Sequence, residues 1–305
     1  MATTKTLQDL RNQSYWILKA DENSKAYSPM LMDSFINKAQ NDICIGNLFN
    51  LKTAERLLKP TLNFLAKEAY FKSVQRSTIS SAIASWATTI PIASTTNYLS
   101  SGALWIDGMI VTYTGITGAS FTGCSGVITA MWAGAKLYAL FLLPSDFGQM
   151  TSAYYIPSSG GMQSKMIGID YRDFKESFLN RITYSIQTNS LFSGEVYYTI
   201  VNGLYFLPFT PQSANNIRFE YQKLPTSFSL VTDIATVPDT YVLNTIPYVA
   251  VAEMLFNRGE PDIAIELNNF GYNSVKTMYA FYSSQSVELN YNQRIRTGRD
   301  WILNI

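Results

Sequence analysis

Three stretches of this sequence contain residue types that could support chemistry. The first is GITGASFTGCSG, residues 115–126, which has the glycine density of a phosphate-binding loop. The second contains three aspartates between residues 146 and 173, and the third is the arginine-rich stretch 290–305. Each points to a different function, so the requirements of each chemistry decide between them.

A nucleotide-binding loop places glycines between a strand and the N-terminus of a helix, where backbone N–H groups converge on phosphate, and a Walker loop adds a lysine. Residues 115–126 contain no lysine, and the next one along the chain is Lys136. The residues that follow continue in a strand-like pattern. The glycines are therefore interpreted as turn residues, and no cofactor is predicted.

Two carboxyl groups about 5 to 9.5 Å apart can cleave a glycosidic bond. Asp146, Asp170 and Asp173 are the candidates for such a pair. No pattern places them in one cleft, and Asp146 in LPSDF has the context of a helix-cap residue. Structural roles are favoured, and a tail-associated glycosidase stays as an alternative hypothesis.

The composition removes most other catalytic chemistry. The chain has no histidine, so Ser-His-Asp and Cys-His catalysis are excluded, along with the commonest metal ligand. Its two cysteines, Cys44 and Cys124, have neither a disulfide framework nor the spacing of a metal site. The sequence predicts a protein that is not an enzyme and holds no metal.

Charge and hydropathy restrict the partners. The net charge is +1, from 23 basic and 22 acidic side chains, so no overall field attracts nucleic acid or an anionic membrane. The N-terminus lacks the pattern of a signal peptide, and no run approaches the ~18 apolar residues of a spanning helix. A soluble protein made in a reducing cytoplasm, without membrane contact, is expected.

Helical patterns occupy both ends of the chain. Leu7, Leu10 and Ile17 share one face of a first helix, and Ser28-Pro29 and Gly46 bracket a second. Near the C-terminus, Pro238 opens a helix that Pro247 is expected to break or kink. A last helix from Pro261 is expected to end near Ser283, with one apolar stripe: Ile263, Leu267, Phe270, Ser274, Met278 and Phe281.

Strand patterns lie between the helices. From Ser77 to Ala135 the only charged residue is Asp107, and short β-rich runs alternate with glycines, which predicts an inserted antiparallel module. Asn202-Gly203 between aromatic runs predicts a hairpin. The pattern from Ile217 to Gln222 predicts a strand with one buried face.

The predicted fold class is α+β: a helical bundle formed by the N- and C-terminal helices, with an inserted antiparallel β module and a β-hairpin region. Five segments follow: the N-terminal helices at 1–72, the β insert at 73–143, the hairpin region at 144–236, the C-terminal helices at 237–283, and a docking tail at 284–305.

The order of these segments resembles the head-to-tail adaptor, or connector, proteins of tailed bacteriophages. The stretch SGALWIDGMIVTYTGITGASFTGCSGV is similar to a β module of phage structural proteins. Its continuation LFLLPSDF, the helix containing FINKAQNDI and the closing helices are similar to the adaptor family. The similarity covers most of the chain in patches.

This resemblance implies a structural ring, commonly of twelve copies, in the virion neck. Such a ring joins the portal protein to the tail or tail-tube protein and continues the DNA channel, without sequence-specific binding. It also implies a C-terminal tail that docks on the portal, formed here by Arg294, Arg296, Arg299 and Trp301. Spaced arginines beside apolar residues are typical of interfaces, although a terminus that contacts nothing is the alternative.

Two alternatives stay open for the aromatic residues, which number 20 Tyr, 17 Phe and 5 Trp. They suit a core or subunit interface, and they also suit a carbohydrate-binding tail module. Met109 and the Met131-Trp132 pair depart from the polar residues expected in the β module. That departure leaves another neck or tail ring, such as a tube or hub component, as an alternative to the adaptor.

Overall fold

The computed structural model describes residues 4–57, 62–74, 76–156, 163–173, 197–209 and 215–297. The chain forms two compact units. The first, here called the helical unit, comprises Met1–Lys67, Asp146–Gln149 and Gln222–Ile305. The second, the β unit, comprises Glu68–Ser145 and Met150–Tyr221.

Within the described ranges, the helical unit contains four long helices, and a single helical turn lies in the β unit. In chain order the helices are α1 Leu7–Leu18, α2 Pro29–Ile45, α3 Tyr171–Asp173, α4 Asp239–Asn257 and α5 Pro261–Thr297. A 3₁₀ turn, Asn63–Leu65, precedes the first strand. The sequence also predicts a short helix over residues 171–183; α3 forms its first turn, and residues 174–183 lie outside the described residues.

The ends of α1 and α2 follow from local chemistry. Thr6 caps α1 in a capping box with Asp9, whose side chain returns to the Thr6 backbone N–H. Pro29 occupies the first turn of α2, and Gly46 ends the helix in the left-handed conformation with φ 77°. Both N-terminal helices predicted from the sequence are confirmed.

One apolar core holds the helical unit together. It contains side chains from both N-terminal helices and both C-terminal helices: Leu7, Leu10, Met32, Ile36, Ile43, Val242, Ile246, Ala250, Val275 and Met278. Pro247 is buried within α4, which continues through it, so the helix does not break there, and a kink at Pro247 stays a prediction. The two halves of the unit are distant in sequence and bury each other's apolar faces.

The predicted end of α5 is wrong, and its predicted apolar stripe is only partly confirmed. Met278 is buried and Leu267 packs against a buried cluster, but Ile263, Phe270 and Phe281 are exposed. Ala264 and Val275, which are outside the predicted stripe, are buried. The helix continues past Ser283 to Thr297. Gly271 explains part of this difference, because a β-carbon there would lie 2.9 Å from a methyl carbon of Val249. The two C-terminal helices thus approach each other at a residue without a side chain.

Fourteen strands are described, most of them short. They are β1 Ala66–Val74, β2 Arg76–Thr78, β3 Thr89–Pro91, β4 Gly102–Ile106, β5 Met109–Tyr113, β6 Gly115–Thr117, β7 Ser120–Thr122, β8 Lys136–Leu142, β9 Phe147–Ile156, β10 Ser164–Lys165, β11 Ile167–Gly168, β12 Tyr197–Val201, β13 Tyr205–Phe209 and β14 Asn215–Lys223.

The strands form three sheets. One has the order β1-β14-β9-β10, a second has β11-β12-β13-β8-β4-β5 with β2 also on β8, and the third is β3-β7-β6. The Asn202-Gly203 hairpin is confirmed: β12 and β13 are antiparallel, and both turn residues have positive φ. Ile217, Phe219 and Tyr221 are buried as predicted, but Gln222 is buried as well.

The predicted fold class is therefore wrong. Three sheets with fourteen strands, against five helices, make strands the dominant element of the described chain. The β part is not a small module inserted in a helical bundle. The pattern of FLAKEAYFKSVQ, residues 64–75, fits either a short helix or the lead-in to a strand. In the structure Ala66–Val74 forms β1, directly after the 3₁₀ turn.

Candidate interaction surface on the beta unit

The glycine-rich stretch that resembles a phosphate loop consists of strands and turns. Gly123 and Gly126 have φ of 62° and 97°, a conformation that favours glycine, whereas Gly115 begins β6. A β-carbon on Gly126 would lie 2.4 Å from the carbonyl oxygen of Ile110. No helix begins anywhere in residues 102–138, all of which are described, so the stretch offers no helix N-terminus to an anion.

The three aspartates have separate local roles. Asp146 belongs to the helical unit and forms an ion pair with Lys67 at 2.6 Å. It immediately precedes strand β9, so its interpretation as a helix cap is wrong. In the β unit, Asp170 accepts a hydrogen bond from the backbone N–H of Arg172 at 2.8 Å, and Asp173 ends α3.

The arginine-rich tail is only partly described. Arg294 and Arg296 lie on the last turns of α5, which ends at Thr297. Arg299 and Trp301 lie outside the described residues. Portal docking by these four residues therefore stays a prediction.

The β unit carries an unusual set of exposed apolar side chains, here called the tryptophan patch: Trp86, Ile128 and Trp132. Their exposed fractions are 73%, 55% and 65%. Tryptophan is on average one of the more buried residue types in folded proteins. Exposed apolar residues on adjoining segments are typical of a surface that contacts something else.

Backbone pairing brings these residues onto adjacent segments. Ile83 and Met131 form an antiparallel bridge with hydrogen bonds of 2.9 and 3.0 Å. The Trp86 N–H donates to the carbonyl oxygen of Val127 at 2.6 Å. Val127 and Met131 are buried in the core of the β unit, so the residues between and beside them are held at the surface.

The backbone at Trp86 is strained. Its φ is 63°, in the left-handed region that costs a residue with a side chain about 1 to 2 kcal/mol. Strain of this kind is retained where the surrounding structure or a function requires it. In this conformation the Trp86 backbone N–H donates to the Val127 carbonyl oxygen, and the Trp86 indole is exposed.

The segment of the chain that carries the patch has almost no charge. Asp107 is the only charged residue from Ser77 to Ala135, and burial raises the pKa of its carboxyl group. Burial also raises the pKa of the Tyr113 phenol to about 12, so this side chain stays neutral at physiological pH. The module therefore offers a partner apolar area and hydrogen-bonding groups, with little electrostatic attraction.

The exposed side chains of the patch can take part in non-covalent contact. Among the described residues, no group of three or more His, Cys, Asp or Glu side chains is placed to hold a metal ion. No helix within the described ranges is both long and apolar enough to cross a membrane. What the patch can do is bury two indole rings and an isoleucine against another surface.

Comparison with known proteins adds no family to this description. A scan against protein-family models finds no match. A search of the curated proteins finds none either.

Part of this surface is predictable from the sequence. The Met131-Trp132 pair stands out there, whereas nothing in the pattern names Trp86 or Ile128 individually. The available signal was the isolation of Trp86 among small residues, in the run SAIASWATT, residues 81–89. A bulky side chain in such a run has few local apolar neighbours to cover it.

Proposed function

We propose that this protein is a structural subunit of the neck of a tailed-phage virion, where copies form an adaptor ring between the portal and the tail. The tryptophan patch carries the proposal. A subunit that acts by contact with neighbours needs apolar surface that becomes buried on assembly, and indole rings are among the strongest contributors to such interfaces. The resemblance of the sequence to phage adaptor proteins supports the same function.

The charge distribution fits a ring around a DNA channel. A channel that lets DNA slide must avoid tight neutralisation of phosphates, because each neutralised phosphate strengthens binding. The net charge of +1 is compatible with passage of DNA without sequence-specific contacts. In this proposal the arginines of the C-terminal stretch bind the portal rather than DNA.

Immunogold electron microscopy of the phage that encodes this chain tests the proposal. Antibodies against the purified protein should label one position per particle, at the junction of head and tail, and should also bind isolated necks. Label on the tail shaft or tail tip would favour a tube, hub or host-recognition protein instead. Absence of the protein from purified particles, measured by mass spectrometry, would refute a structural role in the virion.

Carbohydrate binding is a second candidate, and the exposure of Trp86 and Trp132 favours it, because indole faces stack on sugar rings. Sugar sites usually add charged or amide side chains that bind hydroxyl groups, and Asp107 is the only charge from Ser77 to Ala135. A glycan array with the purified chain distinguishes the two. Saturable binding that Trp132→Ala abolishes would support the carbohydrate module, and no binding at all would eliminate it.

A further inference from the structure

The helical unit contains a cavity of about 290 Å³ whose lining combines charged, amide and aromatic side chains. Helix α2 supplies Lys38 and Asp42, the following loop supplies Phe49, and α4 supplies Glu253 and Phe256. Two carboxylates and one ammonium give this lining a net charge of −1. The volume is at the lower limit of small-molecule pockets, which start at about 300 Å³, so it suits a single inserted side chain.

The two carboxylates have different partners. Glu253 forms an ion pair with Lys38. The Asp42 carboxylate has no salt bridge among the described residues and receives one long side-chain hydrogen bond, from Asn47 at 3.5 Å. Burial raises the pKa of the Asp42 carboxyl group, and the hydrogen bond from Asn47 and the charge of Lys38 oppose this rise. Because Lys38 forms its salt bridge with Glu253, a cation entering the cavity would give Asp42 a salt-bridge partner of its own.

The aromatic side chains of the lining suit a flat cation. Phe49 and Phe256 are both exposed. Cations are attracted to the faces of aromatic rings, and the guanidinium group can also stack on them. An ammonium group is more strongly hydrated and lacks this planar stacking.

The loop that presents Phe49 is held in place. Buried Asn268 on α5 donates from its side chain to the Phe49 carbonyl oxygen at 3.2 Å and accepts from the Leu51 N–H at 2.9 Å. The chain's own Arg56 donates to Asn47 Oδ1 at 2.8 Å and is not among the lining residues. The cavity is thus pre-formed rather than dependent on a ligand to order it.

We propose that this cavity binds the guanidinium group of an arginine side chain presented by a partner protein. Asp42 pairs with the guanidinium N–H groups, and the two phenylalanine rings border its planar faces. The inference stands on the cavity alone and holds whether or not the protein belongs to a phage neck. A guanidinium inserted in a partly desolvated pocket is a common form of interface hot spot.

Calorimetric titration of the purified full chain tests this. The probes are Nα-acetyl-arginine amide, which mimics an arginine in a peptide, and its neutral isostere Nα-acetyl-citrulline amide. The arginine probe should bind and the citrulline probe should not. Asp42→Asn should weaken binding about tenfold or more, because a charge-assisted hydrogen bond is lost. The matched control Glu22→Gln, which removes an exposed carboxylate outside the cavity, should bind as wild type does.

Several outcomes would overturn the proposal: equal binding of the two probes, no binding of the arginine probe at tens of millimolar, or unchanged affinity in Asp42→Asn. Binding of free arginine or agmatine with refusal of the capped probe would assign the cavity to a small molecule instead. If Asp42→Asn lowers the melting temperature, Phe256→Ala decides. Because Phe256 is exposed, this substitution should weaken binding of the arginine probe several-fold without unfolding the unit. Unchanged affinity in Phe256→Ala would refute the proposed arginine site.

Discussion

If the protein is a subunit of a phage neck, as we propose, replacing the two indoles of the tryptophan patch should prevent its incorporation into virions while leaving its fold intact. The exposed fraction of Trp86 is 73% and that of Trp132 is 65%. A tryptophan presents up to about 250 Å², so roughly 180 and 160 Å² are available for burial by a neighbour. At about 25 cal/mol per Å² these areas correspond to about 4 kcal/mol each before the costs of association.

The measurable effect is smaller than this gross value. Ordering of side chains and loss of freedom on association oppose it, and hot-spot residues usually cost 2 to 4 kcal/mol when truncated to alanine. Each single variant should therefore bind its neighbour about 30- to 1000-fold more weakly. Stability of the free subunit should change by less than about 0.5 kcal/mol for Trp132→Ala, because substitutions at exposed positions have small effects.

A competition assay measures this loss directly. A phage lacking the gene is complemented with equal amounts of wild-type and variant protein, and the ratio of the two in purified particles is determined by mass spectrometry. Trp132→Ala should be at least about 30-fold under-represented. Leu99→Ala is the matched control, since Leu99 is comparably exposed in the same uncharged segment but lies outside the patch.

Equal incorporation of Trp132→Ala and wild type would refute the reasoning, provided that the variant melts at the wild-type temperature. An equal defect in Leu99→Ala would show that the whole uncharged segment is covered rather than the patch alone. A variant that fails to fold would show that Trp132 stabilises the subunit, contrary to its exposure.

Four further predictions concern stability and docking. Trp86→Gly should raise the free energy of unfolding by up to about 1 kcal/mol in urea titrations, because glycine adopts its φ of 63° without strain, and should still reduce incorporation. Gly126→Ala should lower it by about 2 kcal/mol or more, while Gly118→Ala, which faces open space, stays within about 0.5 kcal/mol. Backbone N–H groups lower the pKa of the Asp239 carboxyl group. The ionised carboxylate therefore stabilises the fold above pH 3.8, and this stabilisation disappears as the pH falls through the lowered pKa. Asp239→Asn should melt at a lower temperature than wild type at pH 7, and the melting temperatures of the two proteins should converge in acid. Deletion of residues 290–305 should abolish co-sedimentation with portal while circular dichroism retains the signal of the remaining helices.

The parts of the fold that were predictable have local causes. The capping signals at Ser28-Pro29 and Gly46 depend on a few neighbouring residues, and so does the turn at Asn202-Gly203. A helix end or a two-residue turn is decided by its own backbone preferences, which tertiary contacts seldom reverse. Such elements can be recognised without knowing what packs against them.

The parts that failed depend on distant residues. Hydrophobicity alone predicted only part of the buried face of α5. This face also includes Gly271, which allows close approach of α4, and Asn268, which forms hydrogen bonds, and neither residue contributes apolar area. The extent of the sheets was missed because many strands have only two to five residues and gain stability from partners far along the chain. Trp86 and Ile128 become neighbours through the same non-local pairing.

The discontinuity of the helical unit sets an order of events during synthesis. The core that joins α1 and α2 to α4 and α5 includes Met278, so it cannot be completed until the ribosome has added roughly 230 residues beyond the end of α2. At translation rates of about 5 to 20 residues per second, completing this core takes roughly 10 to 45 s after α2 has been made. The β unit is complete once Tyr221 has emerged, so it can fold during that interval. The nascent chain can therefore complete the β unit before the helical unit, although the helical unit begins first in the sequence. During this interval the exposed apolar faces of α1 and α2 are the expected sites for chaperone binding.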